Sequence, residues 1–357
     1  MDRRIYEYPA GYRSAMQLPP ARGPLSARMI EGITLGAAVP RETVATTDPY
    51  DDDVQLALWI AYELQYRGFE GVDPDRQWDP EIIAFRTRLE QPWIQWLKAN
   101  CSVTPSAQPV AVQLRCLLDN ADGPRLAPYL RRHATQEQFR EFVLNRSVYQ
   151  LKEADPHSFG IARLSGAAKA ALVEIEADEY GGGRPERMHS ELFRTTMRWL
   201  GLDDSYGHYV PDVPAVTLAI SNVMSLFAMH QRWTGALVGH LAALEMTSTL
   251  PNRQYATGAI RLGASEDEAR YFTEHVEADA VHEQIAAHDL CGSYVEEHPE
   301  AVGDVLFGAR CALVVDDLFA AHLLSKWDAL ADRTASVQSV QGVLEGVGEG
   351  YGGVQGE

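Results

Sequence analysis

The segment EHVEADAVHEQIAAH, residues 274–288, spaces two histidines and an aspartate at the intervals of one helix face. His275, Asp279 and His282 stand at positions i, i+4 and i+7, so in an α-helix their side chains project from the same side. Two imidazoles and a carboxylate in this arrangement can bind a metal ion. The spacing alone fits equally well a solvated acidic helix, because three glutamates lie on the same segment.

A second candidate lies in EIEADEYGGGRPERMHSELF, residues 174–193, where glycines 181–183 interrupt a helical pattern. Glu179 ends the helix before the glycines and His189 lies in the helix after them, so the break can bring the two side chains together. Glu186 with His189 is a rival pair, since the carboxylate-x-x-His spacing occurs in diiron bundles. Glu186 also follows a proline in a first helical turn, where a carboxylate favourably meets the helix dipole. The residues alone leave both pairings open.

Two further carboxylates, Glu153 and Glu245, lie at positions where a charged side chain is unexpected. Glu153, in YQLKEADPHSF, closes a helix before a proline, and a surface charge or local salt bridge explains this residue alone more readily than a ligand role does. Glu245, in GALVGHLAALEMTS, interrupts a small and apolar stretch. Burial of such a carboxylate requires a partner, which favours a ligand role and core burial of Glu245 about equally.

Together these motifs give seven candidate metal ligands: Glu153, Glu179, His189, Glu245, His275, Asp279 and His282. The four carboxylates would neutralise two divalent cations, and the three histidines would add neutral nitrogen donors. Mixed oxygen and nitrogen ligation suits iron or manganese and argues against metals that prefer thiolates.

Helical patterns dominate the chain, and alternating strand patterns are scarce, so we expect an all-α bundle. Residues 1–48, rich in Pro, Gly and Arg, predict an irregular N-terminal arm. The helical domain is expected over 49–330, with N-terminal helices at about 49–130 and the metal-binding core at about 131–330. Residues 331–357 predict a flexible glycine-rich tail.

Three helices near the C-terminus are expected at about residues 235–248, 265–290 and 301–327. The most apolar stretch, residues 214–229, is interrupted by threonine, serine and asparagine, so it predicts a buried core helix and not a membrane span. The N-terminus has no continuous apolar region of the kind found in signal peptides.

The net charge of the chain and the spacing of its cysteines exclude several kinds of binding partner and site. A net charge of -19 repels phosphate backbones and anionic lipid surfaces, so neither nucleic acid nor a membrane is an expected partner. The four cysteines form no CxxC pair, which disfavours a zinc knuckle or a redox dithiol. Isolated thiols suit a reducing compartment, and we expect a cytoplasmic protein.

The combined motifs resemble the heme-oxygenase-like diiron oxidases and oxygenases, also described as iron-containing redox enzymes. The resemblance rests on LKEADPHSF, on DEYGGG with the following His189, on Glu245 and on HVEADAVH, and covers about residues 148–286. It implies a heme-oxygenase-like helical bundle with an N-terminal helical extension. It also assigns the ligand role to Glu179 and leaves Glu186 outside the metal site.

The resemblance further implies how the ligands divide between two iron ions. One iron is expected to take Glu153, His189 and His282. The other is expected to take Glu179, His275 and Asp279, and Glu245 contributes as well. No catalytic residue beyond these ligands and no organic cofactor is implied.

The function implied by the resemblance is the activation of O2 by two irons, with electrons from an external reductase or small reductant. The leading hypothesis is N-oxygenation of a small amine or amino acid to a hydroxylamine, nitroso or nitro product in natural-product biosynthesis. The alternative is oxidative C–C cleavage, desaturation or decarboxylation of an amino acid or fatty acid. A non-catalytic metal-storage or ligand-binding protein is a third hypothesis, and the resemblance leaves room for a homodimer.

Overall fold

The computed structural model describes residues 16–37 and 48–348, without the side chains of residues 277–280 and 329–348. Within these ranges the elements are α-helices, short 3-10 turns and one π-helical segment, Ile285–Leu290, and no β-strand occurs. The all-α class predicted from the sequence is therefore confirmed. The helices are α1 (Pro24–Leu35), α2 (Asp52–Glu63), α3 (Pro80–Cys101), α4 (Val110–Asp119), α5 (Leu126–Arg132), α6 (Gln136–Gln150), α7 (Asp155–Ser158), α8 (Gly166–Glu179), α9 (His189–Trp199), α10 (Ala215–Met229), α11 (Thr234–Arg261), α12 (Arg270–Gln284), α13 (Cys291–Glu297) and α14 (Val302–Gly348).

The predicted irregular arm contains helix α1, so that prediction is wrong for Pro24–Leu35. The carboxylate of Asp53, at the start of α2, accepts hydrogen bonds from the backbone N–H of Leu25 and Ser26 at 2.7 Å each. These bonds satisfy amides that an isolated helix end leaves open. The sequence pattern missed the helix because its cap comes from a distant residue. Residues 1–15 and 38–47 of the arm lie outside the described residues.

Helices α11 and α14 pack at a distance that only glycine permits. A Cβ atom on Gly239 of α11 would lie 1.8 Å from the carbonyl oxygen of Val305, and one on Gly308 of α14 would lie 1.9 Å from that of Ala236. The two backbones are thus in mutual contact through a pair of glycines, one on each helix. Glu245 also lies on α11, so this contact helps to fix the position of one candidate ligand relative to α14.

Three C-terminal helices differ in their bounds from the prediction. Helix α11 continues through Pro251 to Arg261, helix α12 begins only at Arg270, and α14 extends to Gly348. Residues 328–341 contain neither glycine nor proline, so nothing in this stretch interrupts the helix. The predicted tail is therefore wrong up to Gly348, and residues 349–357 lie outside the described residues. No helix in the described part of the chain combines the length and apolarity needed to cross a membrane.

The link between α8 and α9 is a tight turn built on three consecutive glycines. Gly181, Gly182 and Gly183 have φ values of 65°, 61° and 78°, the left-handed region that other residues adopt at a cost. A Cβ on Gly181 would also lie 2.7 Å from the backbone of Arg187 and Met188. The turn thus folds the chain back on itself and sets His189, the first residue of α9, beside the end of α8.

We predict that Gly308→Ala lowers the free energy of unfolding by about 3 kcal/mol, because the added methyl group forces α11 and α14 apart. Urea denaturation measures the change. The matched control is Gly303→Ala on the same helix, where the nearest non-local atom to a Cβ is 3.6 Å away. That variant should gain about 0.5–1 kcal/mol from helix propensity. Equal stabilities of the two variants would contradict the proposed contact.

A second prediction concerns the glycine turn. Gly182→Ala should cost only the left-handed conformation, about 1 kcal/mol, since nothing lies within 4 Å of its Cβ position. Gly181→Ala meets the same penalty and a backbone clash, so it should cost at least about 2 kcal/mol more. Denaturation curves of both variants test this, and a smaller loss in Gly181→Ala than in Gly182→Ala would refute it.

Candidate metal centre

Six of the predicted ligands converge in the helical core as two sets of donor atoms. The first donor group consists of Glu153, Glu179, His189 and His275, and the second donor group consists of Glu179, Glu245 and His282. Within each group, one ligand atom per residue lies within 4.8 Å of all the others. Glu179 belongs to both groups, so the two groups adjoin each other.

Five segments deliver these side chains. Glu153 follows the end of α6, Glu179 ends α8 and His189 begins α9. Glu245 lies in the middle of α11, and α12 supplies both His275 and His282. The predicted helix face of residues 275–282 is therefore confirmed in its backbone. The side chain of Asp279, the third member of that face, lies outside the described residues.

Two tyrosines and a backbone carbonyl orient the first donor group. The hydroxyl of Tyr149 donates to Glu153 Oε1 at 3.1 Å, and that of Tyr271 donates to Glu153 Oε2 at 2.8 Å. Nδ1 of His275 lies 2.8 Å from the carbonyl oxygen of Tyr271 and must donate to it, since a carbonyl can only accept. In the neutral form of His275 the lone pair is then on Nε2, which lies 3.7 Å from Glu153 Oε1. A histidine held in this way is ready to bind a metal through Nε2.

The contact between Glu179 and His189 tests whether a metal fits the first donor group. Oε2 of Glu179 and Nδ1 of His189 lie 2.9 Å apart in the protein interior. Neither atom has a hydrogen-bond partner of acceptable geometry among the described residues. Buried polar atoms are rarely left in this state. Two atoms that form a close ion pair without a well-directed hydrogen bond fit a position where both face a third, cationic centre.

The electrostatics of Glu179 also fit a cationic centre. Burial alone would raise the pKa of this carboxyl group, but the facing His189, His275 and His282 lower it to about 2. Glu179 is thus ionised at every pH at which the protein would be handled. A permanently charged carboxylate shared by two donor groups is suited to contact two cations.

His282 lies between two carboxylates of different exposure. Its Nε2 donates to Oδ2 of Asp178 at 3.0 Å, and its Nδ1 lies 3.3 Å from Oε2 of Glu245. Burial disfavours the charged imidazolium, yet Glu245 and Asp178 outweigh it and raise the pKa of His282 to about 9. The proton on His282 thus compensates carboxylate charge that a metal ion would otherwise compensate.

A cavity of about 220 Å³ opens onto both donor groups. Its wall includes Glu153, Glu179, Glu245 and His275, together with small and apolar residues of α11 such as Leu241 and Ala243. Its other polar residues include Asn252 of α11 and the ion pair between Arg146 of α6 and Asp316 of α14, in which Nη2 and Oδ1 are 2.6 Å apart. The cavity gives a small molecule access to the candidate metal centre.

The structure groups the ligands differently from the division expected by resemblance. His282 lies with Glu245 and Glu179, whereas the expected partners were Glu153 and His189. His275 lies with Glu153, Glu179 and His189, so it has its expected neighbour Glu179, and Glu153 has its expected neighbour His189. His275 and His282, almost two turns apart on α12, thus lie in different donor groups that share Glu179. The division of the ligands between two irons stays a prediction. Glu186 is exposed and belongs to neither group.

Sequence reasoning missed several residues at the site. The two tyrosine donors, Tyr149 and Tyr271, lie at i−4 of Glu153 and of His275, a spacing that could have indicated them. Asp178 directly precedes Glu179 in a run of acidic residues, and nothing in the sequence distinguishes it from its neighbours. Glu176, one turn before Glu179, lines the cavity and is only 3% exposed. Burial, followed by the charges of Glu179, Asp155 and Glu245, raises its pKa to about 9.

The chain is similar to known proteins over part of its length. A nitrosourea synthase from Streptomyces achromogenes subsp. streptozoticus is 27% identical over 191 residues, which are 52% of this chain and 40% of that relative. The chain thus spans less than half the length of this curated relative.

Two solved structures are also similar. One is a domain of unknown function with a heme oxygenase-like fold from Shewanella denitrificans OS217, with 14% identity and a TM-score of 0.47 over 62% of this chain and 91% of that chain. The other is a CADD-like protein of unknown function from Nostoc punctiforme PCC 73102, with 17% identity and a TM-score of 0.49 over 61% of this chain and 96% of that chain.

The family model described as iron-containing redox enzyme matches residues 140–317. This segment contains every member of the two donor groups, from Glu153 to His282. The matched segment and the buried donor atoms agree, and the chain belongs to the family of iron-containing redox enzymes.

Proposed function

We propose that this chain is a non-heme diiron oxygenase that uses O2 to N-oxygenate a small amine or amino acid. The observation that carries the proposal is the sharing of Glu179 between two buried groups of carboxylate and imidazole donors. A carboxylate common to two donor groups is the arrangement that a pair of cations requires, and one cation would leave the second group unused. Family membership favours iron among the metals that suit these ligands.

Six residues would hold the two ions, three or four to each, with Glu179 contacting both: Glu153, Glu179, His189, Glu245, His275 and His282. Asp279 remains a proposed seventh ligand from its position on α12. Two bound ferrous ions would supply electrons for the reduction of O2. The residues around them orient the ligands: Tyr149 and Tyr271 hold Glu153, and the carbonyl of Tyr271 holds His275.

The proposed reaction is balanced by an external reductant. Conversion of a primary amine to a hydroxylamine by O2 consumes two electrons and two protons and releases water. The nitrosourea synthase relative supports a product with an N–O bond, since a nitroso group contains one. The electron donor is proposed as a separate reductase or a small reductant, and the substrate as a small molecule that fits the cavity of about 220 Å³. Oxidative C–C cleavage, desaturation or decarboxylation is the alternative outcome for the same ligands.

The proposal is tested by loading the protein with ferrous iron under anaerobic conditions, measuring iron per chain, and supplying ¹⁸O2 with a panel of primary amines. We expect two irons per chain and an amine product that carries ¹⁸O on nitrogen by mass spectrometry. Products that have lost carbon or hydrogen without gaining oxygen would support the alternative. Retention of a single iron would contradict the diiron proposal.

Glu179→Gln should reduce iron content to well below one per chain, because it removes the shared charge from both donor groups. Glu186→Gln is the matched control, since Glu186 is exposed, follows on the same segment and belongs to neither group. We expect Glu186→Gln to retain full iron content. Normal iron content in Glu179→Gln would exclude Glu179 as a shared ligand.

Iron binding should also depend on pH. In the metal-free protein the pKa of His282 is raised to about 9, so the residue is protonated at pH 7 and must lose a proton to become a ligand. Affinity should therefore rise with pH between about 6 and 9, by up to about tenfold per pH unit. Glu179, with its pKa lowered to about 2, remains ionised throughout and does not contribute to this slope. Chelator competition across this range measures the slope, and a flat profile would rule out the exchange of a proton for the metal.

A further inference from the structure

Glu176 is a buried carboxyl group for which the candidate metal centre provides no role. It lies on α8 one turn before Glu179, and its side chain is 3% exposed. Neither carboxyl oxygen has a hydrogen-bond partner among the described residues. A carboxyl group buried in this state is strongly disfavoured unless something else in the site interacts with it.

Glu176 is not a member of either donor group, although it lines the cavity onto which both groups open. The charges of Glu179 and Glu245 act on it, so it lies near the metal centre but not within the sets of mutually close ligand atoms. Its position is therefore that of a residue facing a molecule in the cavity, beside the proposed metal ions.

The cavity favours a positively charged or hydrogen-bond-donating guest. Its single arginine, Arg146, is already paired with Asp316. His157, also in the wall, has its pKa lowered to about 4 by burial and is neutral. Asp317 adds another carboxyl group to the lining. A guest amine thus meets an acceptor at Glu176 and no unpaired arginine or lysine in the wall.

The wall residues of the cavity differ in position along α11 and in exposure. Leu241 precedes Glu245 by about one turn, and Asn252 follows it by two turns, about 10 Å along the helix. The wall residue Asp316 is half-exposed, whereas Glu176 is only 3% exposed. Glu176 therefore lies in the enclosed part of the cavity, and Asp316 lies where solvent reaches the wall.

We infer that Glu176 binds the amino group of the substrate, accepting a hydrogen bond from its N–H and holding the nitrogen beside the two donor groups. The inference rests on the proposed N-oxygenation, since it names the residue that selects an amine for that reaction. Glu176 is thereby a specificity-determining residue: it distinguishes an amine from an alcohol of the same length. An amine is far more basic than an alcohol, so only the amine can share a full proton with a buried carboxyl group and form a charge-assisted hydrogen bond to it.

The test compares wild-type protein with Glu176→Gln, both loaded with ferrous iron and kept anaerobic. Isothermal titration calorimetry measures the binding of linear primary amines from butylamine to octylamine and of the alcohols of the same length. In the wild type, the best amine should bind at least tenfold more tightly than its alcohol. Glu176→Gln should weaken that amine at least tenfold, change the alcohol by less than twofold, and retain the wild-type iron content.

Glu174→Gln is the matched control, because Glu174 is an exposed glutamate on the same helix. It should bind every probe as the wild type does. If Glu176→Gln fails to fold by circular dichroism, Glu176→Asp replaces it, since aspartate keeps the carboxyl group but withdraws it by one methylene. That variant should weaken the best amine by a smaller factor and leave the alcohol unchanged.

Three results would overturn the inference. Amines and alcohols could bind the wild type equally, the Glu176 variant could bind amines normally, or it could lose iron, which would make Glu176 a metal ligand. Failure of the proposed function is distinguishable, because it appears as a wild-type protein that lacks two irons or forms no N–O bond. Amine selectivity at Glu176 is measured without turnover and is separate from both results.

Discussion

The concentration of carboxylate groups inside a helical core is the constraint on which this structure depends. Glu176, Glu179 and Glu245 are all buried, and Glu153 lies beside them. Charges of one sign at such distances repel one another strongly where water is excluded. Histidines and tyrosine hydroxyls offset this repulsion and, in our proposal, two iron ions do so as well. The same charges that would destabilise an ordinary core are therefore the basis of the site.

The rest of the fold brings these groups together from distant parts of the chain. The glycine turn at 181–183 reverses the chain between Glu179 and His189. Gly239 packs against Val305 and Gly308 against Ala236, which holds α11 close to α14. Both devices rely on the absence of a side chain, because each places backbone where a Cβ would not fit. The ligands are thus positioned by residues that carry no chemistry of their own.

Local spacing was sufficient to predict the all-α class, the helix face of His275 and His282, and the candidate carboxylates. It could not predict which ligands share a donor group, because that depends on how α12 passes α8 and α11 in three dimensions. The helix α1 was missed since its cap, Asp53, belongs to the next helix. Glu176 could not be predicted because it lies among acidic residues that are all expected to be exposed. Its burial in the structure is what distinguishes it from them.

The π-helical segment Ile285–Leu290 has a consequence for α12, which it directly follows. A π-turn uses five-residue hydrogen-bonded steps, so the chain after it is rotated about the helix axis relative to an uninterrupted α-helix. Residues before the segment can therefore face the donor groups while Ala286 and Leu290 are buried where it packs against α8. The α-helical part packs mainly against α11 and the π-helical part mainly against α8, so consecutive turns of one helical stretch contact different neighbours.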